Sequence, residues 1–383
     1  MKIAVNTRFL LSNKLEGIGM FTHEIFKRVV QLLPEHEFYF IFDRPYSEEF
    51  VFQNNVKPIV VAPPARHPFL WYWWFEKSIP KILKENNIDL FISPDGFASL
   101  NTSIPQFIVI HDLGFEHYPK HTPFLVQKYY QHFIPKYCQK ASKILVVSNF
   151  TKHDIIQQYN IEESKIEVVY NGFSNEQNTS AEINLKSDNS FEKLELTTQQ
   201  YFIFIGAIHP RKNILNLLKA FELHKHSNST FKLVLVGRNA WMNNEIHLYL
   251  SNMKYKTDVV WIEKITRKNL LFLLKNAYAL CYPSLFEGFG IPLIEAMNLG
   301  VPVITSNVSA LPEILGNAGI LVSPTSTDEI ANAMQQLVND KKLRQTLIEK
   351  GHQQATRFSW DVSAQKIVQL IQNWIEKNEN KPK

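Results

Sequence analysis

Cysteine is scarce in this sequence of 383 residues, which contains only Cys138 and Cys281. Neither cysteine lies in a Cys-x-x-Cys pair or near a histidine cluster with metal-ligand spacing. Two isolated cysteines therefore disfavour a disulfide framework and a structural zinc site, and they fit a reducing compartment.

Long apolar runs are missing as well. No stretch approaches the roughly 18 apolar residues of a membrane-spanning helix. The first segment, MKIAVNTRFL, is too short for the apolar core of a signal peptide and instead predicts a first β-strand. We therefore expect a cytoplasmic protein, with room for peripheral contact on the inner face of the cell membrane.

A strong excess of charge is also absent. The formal net charge is +5, and the basic residues form no single run, which disfavours nucleic-acid binding. A solvated surface is the simplest interpretation of this balance, while an anionic substrate or an anionic membrane surface stays open.

Short β-branched and aromatic runs alternate with amphipathic segments, such as Gly19–Leu33, Leu70–Glu85 and Asn149–Tyr159, a pattern typical of parallel strands buried on both faces. The strand segments are KIAVNT, EFYFIFD, PIVVA, DLFIS, QFIVIHD, KILVVS, KIEVVY, YFIFIGAI, FKLVLVG, VVWIE, YALCYPS, PVITSN and GILVS. The predicted fold class is α/β, with two Rossmann-like, doubly wound domains. Residues 174–200 are rich in Ser, Asn, Thr, Gln and Glu and predict a linker. The expected division is 1–173, 174–200, 201–358 and a last helix in 359–383.

A glycine pair follows the first strand and opens a helix. Gly17 and Gly19 would let the backbone approach a ligand closely, and a helix N-terminus favours an anion. The pattern is incomplete, because Thr22 stands where a dinucleotide motif has its third glycine. Asp43 ends the second strand, so a dinucleotide site stays an alternative, as does a simple turn.

Polar residues also follow two later strands. His111 and Asp112 come after QFIVI, where a histidine can donate to a substrate or carry a proton. The alternatives are a structural histidine and an aspartate that caps a turn. Arg211 and Lys212 follow Pro210 at the predicted start of a helix, where cations oppose the helix dipole and an anion would relieve the repulsion. They therefore predict a phosphate site, against the alternative of solvated surface cations.

Two carboxylates lie in the stretch SLFEGFGIPLIEAM. Glu287 precedes the glycine-rich loop Gly288–Gly290, and Glu295 is expected in the first turn of a helix spanning Leu293–Leu299. An acid–nucleophile pair needs a gap of about 5–10 Å across one bond. Because the loop separates the two acids, separate roles are favoured over a catalytic pair. The alternatives are a helix-capping role for Glu295 and a structural role for Glu287.

An aromatic stretch, FLWYWWF, occupies Phe69–Phe75. Its spacing fits a helix packed on the sheet. The neighbouring cations leave contact with a membrane surface or a lipid-linked acceptor as the alternative. These cations are Arg66, His67, Lys77 and Lys81.

Taken in order, these motifs resemble family 4 of the nucleotide-sugar glycosyltransferases, which are retaining enzymes of the GT-B fold with two domains facing across a cleft. The similarity is carried by GIGMFTHEI, VIHDLGFEHYP, VVSNFTKHDII, VVYNGF, FIGAIHPRKNILNLLKAF, LVLVGRNAW and YPSLFEGFGIPLIEAMNLGVPVITSNVSALPEILGNAGILVSP. The His-Asp form of the cleft histidine resembles the mannosyltransferase-like branch of bacterial polysaccharide assembly.

The resemblance implies a site for a nucleotide-diphosphate sugar linked to GDP or UDP. Arg211 and Lys212 would neutralise the leaving diphosphate, so that no metal and no other cofactor is needed. Further diphosphate contacts would come from Gly17, Gly19, Gly290 and Ile291. The implied catalytic residues are His111 and Glu287, with Asp112 and Phe289 on the donor sugar. The ribose and base would lie against Glu295, Gly237, Arg238, Lys264 and Ile265.

The chain departs from the family pattern at two positions. Many relatives carry an arginine where Ala207 follows Gly206, and many have glycine in place of Glu263. The implied reaction transfers a hexose, mannose favoured, to a saccharide or lipid-linked acceptor in polysaccharide or lipopolysaccharide assembly. A β-phosphate oxygen would take the acceptor's proton. The competing hypotheses are an NAD-dependent oxidoreductase and a non-catalytic nucleotide-sugar binder.

Overall fold

The computed structural model describes residues 1–12, 14–173, 196–227, 229–239 and 244–379. Two compact units emerge, one made of Met1–Gly172 with Ser359–Lys383 and the other of Phe173–Phe358. Phe173 thus falls in the second unit, where its backbone N–H donates to the carbonyl of Phe358 over 3.3 Å. Most of the predicted linker, residues 174–195, lies outside the described residues.

The first unit is built on a parallel sheet. Its strands are β1 Lys2–Asn6, β2 Glu37–Phe42, β3 Val56–Val60, β4 Leu90–Ser93, β5 Gln106–Ile110, β6 Lys143–Val146 and β7 Ile166–Val168. In the described part of the chain the order is β3-β2-β1-β4-β5-β6-β7, and every pairing is parallel. Strands β4 and β5 are buried along their whole length, as the near-continuous apolar runs predict.

Helices connect these strands. They are α1 Gly17–Leu32, α2 Pro68–Trp73, α3 Ile79–Glu85, α4 Gly114–His117, α5 Phe124–Lys140 and α6 Asn149–Tyr159. A π-helical turn, Trp74–Ser78, joins α2 to α3. The bounds of α6 agree with the sequence prediction because its caps are strong. Ser148 accepts a hydrogen bond from the N–H of Thr151, and Asn160 ends the helix in the left-handed conformation.

The second unit repeats the architecture. Its strands are β8 Tyr201–Ile205, β9 Lys232–Val236, β10 Val259–Ile262, β11 Ala279–Tyr282, β12 Val303–Ser306 and β13 Gly319–Val322. Over the described residues the parallel order is β10-β9-β8-β11-β12-β13. Each of the thirteen segments predicted as strands overlaps an observed strand, and the prediction of two Rossmann-like parallel-sheet units is confirmed.

The helices of the second unit are α7 Ile214–Lys225, α8 Asn244–Asn252, α9 Arg267–Lys275, α10 Ile291–Asn298, α11 Leu311–Leu315, α12 Thr327–Asn339 and α13 Lys341–Ala355. Helix α10 begins two residues earlier than predicted. Gly290 caps it in the left-handed conformation, and Pro292 occupies the first turn, where a missing N–H breaks no helical hydrogen bond.

The last helix, α14 Trp360–Glu379, packs in the first unit against α1. Arg28 on α1 donates to the Asp361 carboxylate over 2.6 Å. Gly172 lies against the start of this helix, where an added Cβ would lie 2.1 Å from the backbone nitrogen of Trp360. Among the helices of the described residues, none is both long and apolar enough to cross a membrane.

Candidate functional site

The strand order of the second sheet reverses between β8 and β11. In open α/β sheets, ligands bind at the carboxyl ends of the strands where such a reversal occurs. The loop after β8 carries Lys212, and the loop after β11 carries Glu287. The topology therefore brings these two segments together at the position where a ligand is expected.

The turn after β8 differs from its prediction. Pro210–Lys212 forms a separate 3-10 turn, and the following Asn213 adopts the left-handed conformation with φ of 61° before α7 begins. The side-chain amide of Asn213 donates to the carbonyls of Pro283 and Pro324, which holds this kink in place. Placing Arg211 and Lys212 in the first turn of an α-helix was therefore wrong, because the kink sets their turn apart from α7.

Lys212, Glu287 and Tyr282 form a closed cluster. The Lys212 Nζ lies 2.5 Å from Glu287 Oε1 and donates to the Tyr282 hydroxyl over 2.6 Å. The Tyr282 hydroxyl in turn donates to the same carboxylate oxygen over 3.1 Å. The Lys212 and Glu287 side chains are 15% and 9% exposed, so their charges lie largely out of water. Removing either charge from such a mostly buried ion pair would leave the other charge buried without a counter-charge, which would destabilise the fold.

The cluster fixes its own charge states. Burial alone would raise the pKa of Glu287, but the positive charges of Lys212 and Arg211 hold that pKa below its usual value. Burial alone would lower the pKa of Lys212, but the Glu287 carboxylate raises it. Burial and the nearby carboxylate raise the pKa of Tyr282 to about 12. At neutral pH the site therefore presents an ammonium, a carboxylate and a neutral hydroxyl.

The glycine-rich loop before α10 is held by its neighbours. The Glu287 N–H donates to Ser309 Oγ over 3.1 Å, and Gly290 has φ of 101°, a conformation that favours glycine. The Phe289 ring is 4% exposed and packs edge-on against Phe358. The predicted sugar contact by Phe289 can therefore come only from its backbone, since its ring is in the core. The first N–H groups of α10, at Ile291, lie at the end of this loop.

Glu295 lies deeper in α10 than predicted. It is the fifth helical residue, outside the first turn, and is 2% exposed. Its carboxylate accepts a hydrogen bond from Arg267, the first residue of α9. Sequence spacing did not single out Arg267, because only the packing of α9 against α10 brings the two residues together.

The segment predicted to hold the base is shaped by a close backbone approach. Gly237 has φ of 156°, and a Cβ there would lie 1.9 Å from the carbonyl oxygen of Gly206. The Gly237 carbonyl accepts from the Trp261 indole over 3.0 Å, and the Arg238 carbonyl accepts from the Ile208 N–H over 3.0 Å. The Gly237 and Arg238 carbonyls thus each accept a hydrogen bond within the unit. The side chains in this segment are half-buried at Ile265 and exposed at Arg238 and Lys264.

His111 lies at the carboxyl end of β5 in the first unit. Its Nε2 lies 2.7 Å from the carbonyl oxygen of Pro94, and its ring contacts Phe21 edge-on. A carbonyl can only accept, so Nε2 carries the hydrogen and Nδ1 is the acceptor. Burial lowers the pKa of His111, which keeps the ring neutral at pH 7. Nε2 is therefore already engaged within the first unit, and Nδ1 is the ring nitrogen that can accept from a hydroxyl.

Asp112 caps a turn, which is the alternative role that the sequence left open for it. Its Oδ1 accepts from the N–H of Gly114, the first residue of α4, over 2.8 Å. This bond orders the turn that follows His111.

The two glycines that open α1 differ in their surroundings. A Cβ on Gly19 would lie 2.6 Å from the carbonyl oxygen of Phe9, whereas a Cβ on Gly17 would have nothing within 4 Å. Gly19 is therefore needed for packing, and Gly17 has open space at the helix N-terminus.

Sequence reasoning also missed a pair at the strand reversal of the first sheet. Arg8 Nε donates to Asp95 Oδ2 over 2.5 Å, and the guanidinium lies 4.4 Å from the ring centroid of Phe97. Both side chains are buried. An arginine two residues past a strand was the available signal. In the described residues, no group of three or more His, Cys, Asp or Glu side chains could hold a metal ion.

The aromatic stretch divides between core and surface. Trp74 and Phe75 are completely buried, which fits a helix packed on the sheet. Four preceding residues are exposed, and so are two residues at the start of α5, a helix whose later residues pack against α2 through Trp71 with Tyr130 and Tyr72 with Phe133. We call these six residues the apolar patch: Phe69, Leu70, Tyr72, Trp73, Phe124 and Leu125.

Comparison with known proteins gives consistent matches for both units. A family model described as Glycosyltransferase Family 4 matches residues 16–177, and one described as Glycosyl transferases group 1 matches residues 186–354. The chain is 28% identical over 338 residues to the O-antigen chain mannosyltransferase RfbU of Salmonella typhimurium, covering 86% of this chain and 87% of the relative. It is 29% identical over 252 residues to the O-antigen chain mannosyltransferase B of Escherichia coli, covering 66% of each.

Solved structures agree on the fold. WaaG, a glycosyltransferase involved in lipopolysaccharide biosynthesis, superimposes with a TM-score of 0.75 over 96% of this chain and 99% of its own, at 16% identity. The two family matches, the relatives and the shared architecture together show that this chain belongs to the family 4 glycosyltransferases of the GT-B fold.

Proposed function

We propose that this protein transfers a hexose, with mannose favoured, from a nucleotide-diphosphate sugar to a saccharide or lipid-linked saccharide during cell-surface polysaccharide assembly. The observation that carries the proposal is the buried Lys212–Glu287 pair at the strand reversal of the second sheet. The choice of mannose and of polysaccharide assembly is supported by the names of the relatives, which include two O-antigen chain mannosyltransferases.

The donor is placed by charge. Lys212 and Arg211 supply positive charge for the diphosphate, and the backbone N–H groups of Gly290 and Ile291 add donors at a helix N-terminus. Glu287 accepts from hydroxyls of the donor sugar. Further along α10, Glu295 accepts from the ribose, with Arg267 setting its orientation.

The proposed chemistry is retention at the anomeric carbon without a metal ion. Lys212 and Arg211 stabilise the charge that grows on the leaving diphosphate, which is the task a divalent cation has in other enzymes. The acceptor hydroxyl attacks from the face that the diphosphate leaves, and a β-phosphate oxygen takes its proton. His111, held neutral, accepts a hydrogen bond from a sugar hydroxyl through Nδ1.

The oxidoreductase alternative is disfavoured by the surroundings of Asp43. In dinucleotide sites an acid at the end of the second strand binds the ribose. Here the Asp43 carboxylate is 0% exposed, accepts two hydrogen bonds from Arg44, and accepts a third from the Ala65 N–H over 2.9 Å. These bonds engage both carboxylate oxygens within the protein.

A donor panel tests the proposal. GDP-mannose, GDP-fucose, UDP-glucose, UDP-galactose and NAD are each incubated with the enzyme and saccharide acceptors, with nucleotide release as the readout. We expect release from a GDP- or UDP-sugar that is unchanged by EDTA, and NMR of the product showing the donor's anomeric configuration. Binding of NAD without a response to any nucleotide sugar would reject the proposal. Loss of activity in EDTA, or an inverted product, would reject the metal-free or retaining part alone.

We also propose that the apolar patch contacts the membrane that carries a lipid-linked acceptor. Phe69, Trp73 and Phe124 are 75%, 57% and 67% exposed, and amphipathic aromatic residues suit the headgroup region. No Asp or Glu occurs in residues 61–75 or 117–140, whereas the exposed basic residues Arg66, His67, Lys77, Lys81, Lys120 and Lys128 lie in or near these segments. An apolar surface with basic residues nearby complements an anionic lipid surface, and among these residues Lys81 also pairs with Glu85 over 3.8 Å.

Vesicle sedimentation tests this contact. Wild-type protein should sediment with phosphatidylglycerol vesicles and less with phosphatidylcholine vesicles, and the double variant F69S/F124S should stay in the supernatant. The matched control is L248S/V362S, which removes two residues that are 66% and 63% exposed outside the patch. Equal sedimentation of all three proteins would contradict the proposal.

A further inference from the structure

We propose that Tyr282 is a positioning residue of the donor site, a role that rests on the function proposed above. No role was assigned to it from the sequence, because Tyr282 ends a strand and resembles a core aromatic. Its hydroxyl nevertheless contacts both charged members of the site, accepting from Lys212 and donating to Glu287.

The position of that hydroxyl is set by the sheet. Tyr282 is 2% exposed, and its ring stacks on Phe204 of the neighbouring strand at 5.6 Å with an interplanar angle of 13°. Lys212 and Glu287, by contrast, belong to a short turn and a glycine-rich loop. The Tyr282 hydroxyl is thus held in a fixed position by the sheet, and it can orient the Lys212 and Glu287 side chains, whose backbones lie outside regular strands.

The directions of the two Tyr282 hydrogen bonds indicate how this hydroxyl would act when a donor binds. Without a donor, the Lys212 ammonium lies against Glu287. A diphosphate would draw that ammonium away and leave the buried carboxylate without its principal counter-charge. The hydrogen bond from Tyr282 to Glu287 Oε1 would persist. Tyr282 therefore keeps the carboxylate oriented toward the sugar while Lys212 serves the diphosphate.

Tyr282→Phe tests the role because it removes only the hydroxyl. The matched control is Tyr201→Phe, which is also 2% exposed in the same sheet and loses one hydroxyl bond of 2.7 Å, to the carbonyl of Leu273. Both variants should lose similar thermal stability. Only Y282F should lower kcat/KM for the donor, by about tenfold, the size expected for a hydrogen bond to a charged group.

Two further readouts separate positioning from packing. Loss of the tyrosine donor raises the pKa of Glu287, so the acid limb of the kcat/KM profile should move to higher pH in Y282F and not in Y201F. Adding Y282F to E287Q should change kcat/KM by less than about twofold, because both changes act on one group. Kinetics and a pH profile like those of Y201F, or full additivity with E287Q, would overturn the proposal.

Failure of the proposed function has a different signature. If wild-type protein turned over none of the sugars in the panel, the positioning role would be judged by calorimetric titration with GDP and UDP. Y282F should then weaken binding of whichever nucleotide the wild type binds, and Y201F should not. Equal affinities of the two variants, or no binding of either nucleotide to the wild type, would overturn it.

Discussion

The ammonium of Lys212 and the carboxylate of Glu287 lie 2.5 Å apart, although 75 positions separate the two residues in the chain. The pairing arises because β8 and β11 are neighbours in the sheet, so the loops that follow them share one edge. Each charge is mostly buried and stabilised by the other. The pair is consequently sensitive to removal of either partner and is already charged for an incoming sugar diphosphate.

Removal of the ammonium should harm both folding and catalysis. In K212A the Glu287 carboxylate stays buried without its counter-charge, which should lower the free energy of unfolding by about 3 kcal/mol. Nucleotide release should fall by at least about a hundredfold, because the leaving diphosphate loses its main cation. Urea unfolding and steady-state kinetics measure the two effects. The control K275A removes an exposed lysine at the end of α9 and should match wild type; full activity in K212A would contradict the assigned site.

Neutralising Glu295 should weaken nucleotide binding more than it slows turnover. E295Q keeps the shape of the side chain but loses the charged acceptor proposed for the ribose, so affinity for the free nucleoside diphosphate should fall about tenfold. Calorimetric titration provides the measurement, and E349Q, on the exposed side of α13, serves as the control. Unchanged affinity in E295Q would restrict Glu295 to its structural pairing with Arg267.

The two glycines at the start of α1 should respond differently to alanine. In G19A the new Cβ would overlap the carbonyl oxygen of Phe9, so α1 must shift, and we expect a loss of about 2 kcal/mol in unfolding free energy. In G17A the methyl group enters open space, so stability should be unchanged. The kinetics of G17A then report on whether a ligand approaches there. Equal melting temperatures for the two variants would contradict this distinction.

Acid should destabilise the second unit through His224. Burial, with the charge of Lys225, lowers the pKa of His224 to about 4. In the unfolded chain His224 takes up a proton near pH 6.5, whereas in the folded unit it stays neutral until the pH is much lower. Stability should therefore fall as the pH drops from about 6.5 to about 4, by about 3 kcal/mol in all. H224F removes this titration and should flatten the dependence of urea unfolding on pH over that range. A wild-type slope retained in H224F would show that other groups cause it.

The fold could be predicted from the sequence to a large extent. Short apolar runs of four to eight residues are typical of strands that are buried on both faces of a sheet. Each of the thirteen strands therefore overlaps a segment that was predicted from such a run. Boundaries were reliable where a local cap sets them, as at Ser148 and Asn160 of α6. They failed where a distant contact decides, as at Asn213, whose kink depends on the carbonyls of Pro283 and Pro324.

The candidate site was predicted by residue type more than by geometry. Lys212, Glu287 and Glu295 could be singled out because charged residues after buried strands are unusual and follow a recognisable pattern. The partners that control them, Tyr282 and Arg267, carry no such signal, since one ends a strand and the other begins a helix on another loop.

By itself, the sequence determined the two parallel-sheet units, the family and the loops that carry the charged residues. These properties depend on hydrophobic periodicity and on local motifs, both of which are written along the chain. Only the tertiary structure decided that Lys212 and Glu287 meet, that Tyr282 bridges them, and that Arg267 binds Glu295. It also placed Trp74 in the core and Trp73 in solvent. Such contacts depend on strand order and helix packing, which bring together residues whose separation in sequence has no relation to their distance in space.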